Sequence, residues 1–237
     1  ASDGTHAGSV RTTQVFIGVG NRRVSSARFM PPPADHRLLD GLRSWEHWIR
    51  QPSTIPTIVR VAAAHYQFEA LHPFHDGNGR LGRLVMALQL MTAGDLRYPV
   101  LNISPWLEQH RTEYQDGLLR VSRTGQWDEW VSFISAAIHA EALEVIARVD
   151  KLIALREGFQ QTLRGSKGVS LRIADDLIGY PMITPTLAAS LYQVSYQAAN
   201  TAIGKLVDKG IIRQRTSGRY DRIFQCDSVL AALEYNA

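Results

Sequence analysis

The apolar residues of the chain recur mainly at the spacing of amphipathic helices. Positions 38, 42, 45 and 49 are apolar and predict a helix from Leu38 to Ile49. The same period runs through residues 58–68 and 84–91, on either side of a polar stretch, and it returns from Trp127 to Leu163. Most of this part of the chain is therefore expected to be helical.

Candidate N-caps stand before two of the predicted helices. Ser53 or Thr54 is expected to cap the second helix, with Pro56 in its first turn. Ser104 is expected to cap a later helix, with Pro105 at its first position.

Two short segments near the N-terminus have the composition of strands. Residues 11–18, RTTQVFIG, are β-branched and aromatic up to a glycine, and residues 24–30, VSSARFM, are suited to a returning strand. The prolines at 31–33 cannot continue a ladder. We therefore expect a β-hairpin before the first helix.

The last part of the chain combines helices with a second hairpin. The stretch RGSKG at 164–168 interrupts the long helix, and we place a domain boundary there. Three helices and then two strands are predicted after it, at 170–178, 184–191, 195–209, 211–215 and 222–226. This order is typical of a winged helix. The predicted fold class is mainly α with a small hairpin in domain 1–163, followed by a winged-helix domain at 164–237.

Composition excludes several classes of protein. The chain has 237 residues, of which 45% are hydrophobic, so it can bury a core. Its net charge of +4 is compatible with an anionic ligand without requiring one. With Cys226 as the only cysteine, neither an internal disulfide nor a cysteine-built zinc site can form. No apolar run approaches about 20 residues and no signal peptide is visible, so we expect a soluble, cytoplasmic protein without membrane contact.

The candidate chemistry lies in residues 72–83, HPFHDGNGRLGR. Pro73 disfavours helical geometry at His72, so one helix is expected to end there and the next to begin near Gly79. The glycines on either side of Asn78 allow a loop whose backbone N–H groups point inward, beside the positive end of the second helix. Such a loop is suited to an anion.

Two arginines in the first turn of that helix point to phosphate. Arg80 and Arg83 each oppose the helix dipole by about 0.3–1 kcal/mol, which a bound anion would offset, and guanidinium groups suit phosphate oxygens. Asp76 would repel a bare phosphate but is suited to hold Mg²⁺. His72 stands where a general base for an incoming hydroxyl is needed. The residues thus indicate transfer of a phosphate-containing group from a nucleotide to a hydroxyl.

Two simpler interpretations of the stretch stay open. A metal cluster of His72, His75 and Asp76 would leave the glycines and arginines unexplained, and a purely structural loop would not need this composition. The spacing and the lysine of a Walker A loop are absent. Phe74 is expected to anchor the loop in the core, and His65 to be a hydrogen-bonded core histidine.

HPFHDGNGRLGR resembles the Fic motif, H-P-F-x-[D/E]-G-N-G-R-x-x-R, at every specified position. The segment at about 9–33 resembles the flap of that family, and EQHRTEY followed by GQWDEW resembles its usual continuation, so the resemblance covers about residues 9–160. It implies a helical Fic core that uses Mg²⁺ and transfers AMP from ATP to a Ser, Thr or Tyr hydroxyl of a target protein, or of the chain itself.

The resemblance assigns roles by position. It implies His72 as the general base, Asp76 as the Mg²⁺ ligand and Phe74 as the anchor of the loop. Gly77, Asn78 and Gly79 are implied to form the anion hole for the α-phosphate. Arg80 and Arg83 are implied to contact the outer phosphates, and Tyr114 and Gln115 to line the adenine pocket. The ATP-binding positions so implied are Gly77, Asn78, Gly79, Arg80, Leu81, Gly82, Arg83, Tyr114 and Gln115. The positions implied for contact between the flap and the target are Ile17, Gly18 and Phe29.

One element found in many Fic proteins is missing from this sequence. Their inhibitory helix carries [S/T]-x-x-x-E-[G/N], and its glutamate pairs with the second arginine of the motif, which is Arg83 here. Glu157 is the only glutamate followed by Gly or Asn, and position 153 is isoleucine. We expect that helix to lie outside this chain or a separate protein to supply the glutamate.

Other functions and partners stay open at the level of sequence. A Fic fold could also transfer phosphate or remove AMP, and a DNA-binding regulator could use the Fic core as a nucleotide sensor. The partners allowed are a target protein, a second copy in a homodimer, and DNA through the winged helix. The basic residues of its wing could equally be solvated on a module that docks protein; they are Arg213, Arg215, Arg219 and Arg222.

Overall fold

The computed structural model describes residues 8–18, 27–218 and 222–234. Its helices are α1 (His36–Arg50), α2 (Thr57–Leu71), α3 (Asn78–Ala93), α4 (Ser104–Gln109), α5 (Arg111–Thr124), α6 (Asp128–Thr162), α7 (Val169–Asp176), α8 (Pro185–Tyr192), α9 (Tyr196–Asp208) and α10 (Asp227–Leu233). Its strands are β1 (Ile17–Gly18), β2 (Ala27–Phe29), β3 (Met182–Ile183), β4 (Arg213–Gln214) and β5 (Phe224–Gln225).

Two compact units divide the chain, residues 1–143 and 144–237, and the division falls within α6. The sequence places the domain boundary further along, at residue 164, just after α6 ends. That boundary stays a prediction.

The first unit is built around α2, which packs against α1, α3 and α5. Small and apolar residues dominate this helix, so it can be covered on several sides. The indole N–H of Trp130 in α6 donates to the carbonyl of Ala62 at 2.8 Å, so this large side chain is buried with its polar atom satisfied. The buried core around it consists of Val61, Ala62, Met86, Leu90, Ile103, Leu107, Val121, Trp130, Ile134 and Ala137.

Helices are confirmed where the apolar period predicted them in this unit, but two expected caps are wrong. Pro56 is the N-cap of α2 instead of a first-turn residue, and neither Ser53 nor Thr54 caps the helix. Ser104 is the first residue of α4 instead of its cap. Its hydroxyl accepts a hydrogen bond from Nε of Arg83 at 2.8 Å, a long-range contact that the local sequence does not reveal.

The N-terminal hairpin is confirmed, although it is shorter than predicted. β1 and β2 are antiparallel, with Ile17 opposite Phe29. The segment before Ile17 does not join the ladder, because it is hydrogen-bonded to the loop after α2. The backbone N–H of Arg11 donates to the carbonyl of Pro73 at 2.8 Å. The predicted turn and the start of the returning strand, residues 19–26, lie outside the described residues.

The second unit contains the helices α7 to α10 and a three-stranded antiparallel sheet in the order β3-β5-β4. Thr184 caps α8 by accepting from the N–H of Leu187 at 3.1 Å, and Ser195 caps α9 by accepting from the N–H of Ala198 at 3.2 Å. β3 and α10 were not predicted, because each is too short to show a clear period.

α6 is long and apolar enough, by length and composition alone, to pass as a membrane-spanning helix, with a mean hydropathy of 1.4 over 18 residues. Glu141 and Glu144 interrupt its apolar residues, which is why the sequence predicts no span. The core helix of a soluble protein meets the same criteria, and Trp130, Ile134 and Ala137 of α6 lie in the core of the first unit. The composition of α6 is therefore weak support for a membrane span.

Candidate active site

The polar stretch at 72–83 connects α2 to α3 and forms the first turns of α3. α2 ends just before His72, which takes the left-handed conformation with φ 45° and ψ 61°, because Pro73 disfavours right-handed helical geometry at this position. Gly77 has φ 86°, a conformation that favours glycine, and α3 begins at the next residue. The expected loop between two helices is confirmed, and the second helix starts one residue earlier than predicted.

Asn78 shapes this loop with its side chain. The residue is 2% exposed, its Oδ1 accepts from the N–H of Phe74 at 2.9 Å, and its Nδ2 donates to the carbonyl of Phe74 at 2.8 Å. The ring of Phe74 lies 6.5 Å from that of Phe68 in α2, so the loop is held against this helix. The side chain of Asn78 is used within the loop and is not available to a ligand. Its backbone N–H lies in the first turn of α3, has no acceptor within the helix and can therefore donate to an anion.

Asp76 and Arg80 lie together on the outside of the loop. Their side chains are 71% and 76% exposed, and Oδ2 of Asp76 is 3.4 Å from Nη2 of Arg80. Oδ1 of Asp76 accepts from the N–H of Gly77 at 2.6 Å, which fixes the carboxylate beside the loop. A single exposed carboxylate fits Mg²⁺, which commonly takes one or two protein carboxylates and completes its shell with phosphates and water.

The side chain of Arg83 lies apart from that of Arg80 and lines a cavity beside α4. Its Nε donates to the hydroxyl of Ser104, and both residues line a cavity of about 520 Å³ with Arg111 and Tyr114. The two motif arginines therefore occupy different surroundings, one exposed beside Asp76 and one half-buried beside α4.

A second cavity, also of about 520 Å³, lies between the hairpin, α2 and α5. It brings together residues that the sequence placed at three separate sites: the proposed base, the flap and the adenine pocket. Those lining residues are His72, Ile17, Gly18, Phe29, Tyr114 and Gln115. Their proximity fits one continuous site, while their individual roles stay predictions.

Several predicted site residues line neither cavity: Asp76, Gly77, Asn78, Gly79, Arg80, Leu81 and Gly82. Gly82 is buried, and a Cβ at this position would lie 2.7 Å from Oε1 of Glu69 and 3.0 Å from the imidazole of His65. Leu81 is 39% exposed on the outer side of α3. Gly82 therefore serves the close packing of α2 and α3 in this structure, and contact of either residue with ATP stays a prediction.

Arg28 connects the hairpin to α5 and lines the cavity between the hairpin, α2 and α5. Its Nη1 donates to Oε1 of Gln115 at 2.9 Å, and its Nη2 pairs with Asp116. No local sequence pattern indicates this contact, because the partners lie far apart along the chain.

His72 is partly withdrawn from solvent, with its side chain 22% exposed. Burial lowers the pKa of its imidazole, so the ring stays neutral, as a base must, to lower pH than a solvated histidine. Glu69, one turn earlier on α2, is also buried, and its Oε2 lies 3.9 Å from Nδ1 of His72. Glu69 is not among the residues predicted from the sequence, although a carboxyl on a buried helix face is an available signal.

His65 has the expected character of a core histidine. It is 1% exposed, and its Nε2 is 2.9 Å from the hydroxyl of Tyr114. Burial lowers the pKa of His65 to about 4 and raises the pKa of Tyr114 well above its usual value. Both groups are therefore neutral at physiological pH, and this hydrogen bond positions the Tyr114 ring at the wall of the cavity.

Arg11 fixes the start of the loop from the opposite side. It is 2% exposed, and its guanidinium donates to four backbone carbonyls, those of Leu71, His72, Thr13 and Pro32, at 2.5–3.3 Å. One side chain thus satisfies the last carbonyls of α2 and joins them to the segments that flank the hairpin.

Replacing Arg11 by alanine is expected to lower the free energy of unfolding by about 2–3 kcal/mol, because several buried carbonyls lose a charged donor. The free energy of unfolding of Arg11→Lys should lie between those of wild type and Arg11→Ala, since an ammonium group cannot reproduce the planar fork of a guanidinium. Urea unfolding measures both. Arg37→Ala, which removes an exposed arginine paired with Asp35, is the control and should leave the free energy of unfolding close to that of wild type. Equal effects of Arg11→Ala and Arg37→Ala would contradict the role given to Arg11.

The loop, the helices around it and the cavities define a helical domain with a glycine-containing loop at the N-terminus of α3. Residues 2–90 match the model of the Fic/DOC family. It is 34% identical over 143 residues to the protein adenylyltransferase fic-1 of Caenorhabditis elegans, which covers 60% of this chain and 24% of that protein. It is 37% identical over 135 residues to the protein adenylyltransferase Fic of Culex quinquefasciatus, which covers 56% and 24%. The chain spans about a quarter of the length of these relatives.

A solved structure has a similar fold. A Fic family protein from Desulfovibrio desulfuricans G20 aligns over 92% of this chain and 62% of its own, with a TM-score of 0.51 and 19% identity. The mainly helical, Fic-type fold expected from the sequence is thereby confirmed.

Proposed function

We propose that the chain transfers AMP from ATP to a hydroxyl of a protein side chain. The observation that carries this proposal is the position of His72, which lines a cavity and directly precedes a loop that ends at the N-terminus of a helix. The match of residues 2–90 to the Fic/DOC family and the similarity to relatives named protein adenylyltransferases support it.

In the proposed reaction, Nε2 of His72 takes the proton of the target hydroxyl. The hydroxyl oxygen forms a bond to the α-phosphorus of ATP, and the bond to the bridging oxygen breaks, so that pyrophosphate leaves. The backbone N–H groups of Asn78 and Gly79 stabilise the charge on the α-phosphate, and Arg83 holds the outer phosphates. Asp76 would hold Mg²⁺, which when bound neutralises phosphate charge.

The two cavities can accommodate one extended nucleotide. They share Arg111, Tyr114 and Gln115, so a ligand can reach from one into the other without leaving the protein surface. We place the adenine beside Tyr114 and the outer phosphates towards Arg83. The target segment would pair with the hairpin by strand addition next to Ile17 and Phe29.

Incubation with Mg²⁺ and ATP labelled on either the α- or the γ-phosphate tests this function. Label should reach protein from the α position only. Label from the γ position alone would show phosphotransfer instead, and release of AMP from an already modified target would show the reverse reaction.

For the second unit we propose a winged-helix domain that binds DNA. Its order of helix, strand, two helices and two strands fits that architecture. Arg222 donates to Oδ1 of Asn200 at 2.5 Å, which joins the second hairpin to α9. The exposed side of α9 borders a groove with basic, hydroxyl and amide side chains, namely Lys167, Ser170, Ser195, Gln197, Thr201 and Lys205.

The affinity of the chain for duplex DNA is expected to fall steeply as salt rises, because phosphate contacts release counterions. Lys205→Ala should weaken binding and reduce the slope of log affinity against log salt by about 1. Arg156→Ala, which removes a basic residue paired with Asp175 outside the groove, is the matched control and should leave the slope unchanged. Binding that is undetectable or independent of salt would instead favour a module that docks protein.

A further inference from the structure

Glu69 is a buried carboxyl that the proposed reaction leaves without a role. It is 8% exposed and lies on α2, one turn before His72. Among the described residues, neither Oε1 of Glu69 nor Nδ1 of His72 has a hydrogen-bond partner. Buried polar atoms without partners are costly and uncommon, so two of them on neighbouring side chains call for an explanation.

The glycines of α3 leave space for this carboxyl between α2 and α3. A Cβ at Gly82 would lie 2.7 Å from Oε1 of Glu69, and a Cβ at Gly79 would lie 3.9 Å from the same atom. Oε2, the other oxygen, lies 3.9 Å from Nδ1 of His72. A small rotation of either side chain would bring these two atoms within hydrogen-bonding distance, and catalytic hydrogen bonds are often long before ligands bind.

The imidazole of His72 is oriented so that this contact matters. Nδ1 is buried, whereas the side chain as a whole is 22% exposed and lines the cavity, so Nδ1 is not the nitrogen that can meet a substrate. In a neutral histidine, the hydrogen bond made by one nitrogen decides which nitrogen holds the proton. A base that acts through Nε2 needs the proton on Nδ1.

We propose that Glu69 is a positioning residue for His72: its carboxyl accepts the Nδ1 proton and holds the ring in the tautomer whose Nε2 is free to act as the base. The proposal rests on the proposed function, in which His72 takes the proton of the target hydroxyl. It assigns Glu69 no contact with the substrate.

Charged and titratable groups from each surrounding element face this pair. His65 lies beside it on α2, Arg83 on α3, Tyr114 on α5, and Arg11 near His72. Burial raises the pKa of Glu69 to about 7, and the charge of Arg83 opposes this shift. The backbone carbonyl of Glu69 also favours the protonated form of His72, so the test must separate the side chain from the backbone.

Glu69→Gln makes that separation, because it keeps the backbone carbonyl and the size of the side chain. The folded-state pKa of Glu69 is raised, so its ionisation removes stability as pH rises from about 4.5 to about 7. The neutral amide avoids this loss. The variant is therefore expected to remain folded at neutral pH, and thermal unfolding checks this.

The deciding measurement is ¹⁵N NMR of the His72 imidazole in the full chain without nucleotide. Wild type should show the proton mainly on Nδ1, and Glu69→Gln should move it towards Nε2 and lower the pH at which the ring titrates. Glu141→Gln, which changes another buried glutamate that lines neither cavity, should leave both signals as in wild type. The same tautomer and titration in wild type and Glu69→Gln would overturn the proposal.

Kinetics supply a second readout. Glu69→Gln should lower kcat about tenfold or more with little change in the KM for ATP, as expected when a base is misoriented and nucleotide contacts are kept. An unchanged kcat in a variant with an altered tautomer would overturn the role of Glu69 in the reaction. If wild type transfers no AMP, the proposed function fails, and the NMR comparison still decides whether Glu69 holds His72.

Discussion

His72→Ala is expected to lower the rate of AMP transfer by about 100- to 10,000-fold, the range typical for loss of a general base. His72 lines the cavity and directly precedes the loop that is suited to the α-phosphate. Its side chain lies at the cavity wall and is not part of the hydrophobic core of the first unit, so the variant should fold like wild type. Initial rates of label transfer from α-labelled ATP measure the effect.

His75→Ala is the matched control for this prediction. His75 lies in the same loop but is exposed, and it lines neither cavity. Its removal should leave the rate within about twofold of wild type, because the loss of an exposed side chain rarely disturbs a fold by more than about 0.5 kcal/mol. Equal losses in both variants, or a His72→Ala variant as fast as wild type, would contradict the assignment of His72 as the base.

Asn78→Ala is expected to destabilise the first unit by about 1–3 kcal/mol, because the N–H and the carbonyl of Phe74 both lose their partner. The same change should lower AMP transfer by about 100-fold, since small displacements of a catalytic loop are costly. Urea unfolding and initial rates measure the two effects separately. Loss of activity at temperatures where the variant is fully folded would locate the effect in the loop geometry.

Asn200→Ala provides the comparison, since Asn200 also uses its side chain in a hydrogen bond but lies in the second unit. It should leave the transfer rate unchanged. Asn78→Ala with the stability and the rate of wild type would show that the two bonds to Phe74 do not hold the loop.

The helices and the loop could be predicted because their signals are local. The apolar period marks α1, α2, α3 and α6, and the loop follows from Pro73 and the glycines around Asn78. Thr184 and Ser195 act as caps because each side chain reaches a backbone N–H three residues on, a distance that the sequence fixes.

What the sequence could not supply depends on contacts between distant segments. Ser104 has the sequence context of an N-cap, but in the structure its hydroxyl accepts a hydrogen bond from Arg83. Arg11 lies in a stretch with the composition of a strand, yet its guanidinium binds the end of α2 some 60 residues later. Arg28 similarly joins the hairpin to Gln115, 87 residues further on.

Glu69 is an intermediate case. Its position on a helix dominated by small and apolar residues could be seen in the sequence. Its distance to His72 and the space left by Gly82 could not. A charged residue on a predicted buried face can therefore be singled out from sequence, whereas its partner has to come from the structure.

Mass spectrometry of protein incubated with this chain, Mg²⁺ and ATP, beside the same incubation with His72→Ala, tests the central claim most directly. We predict that wild type adds one AMP group to a serine, threonine or tyrosine hydroxyl, with release of pyrophosphate, and that the adduct is lost with His72→Ala. An adduct with the mass of a phosphate group, or an AMP adduct that forms equally with His72→Ala, would contradict AMP transfer by His72.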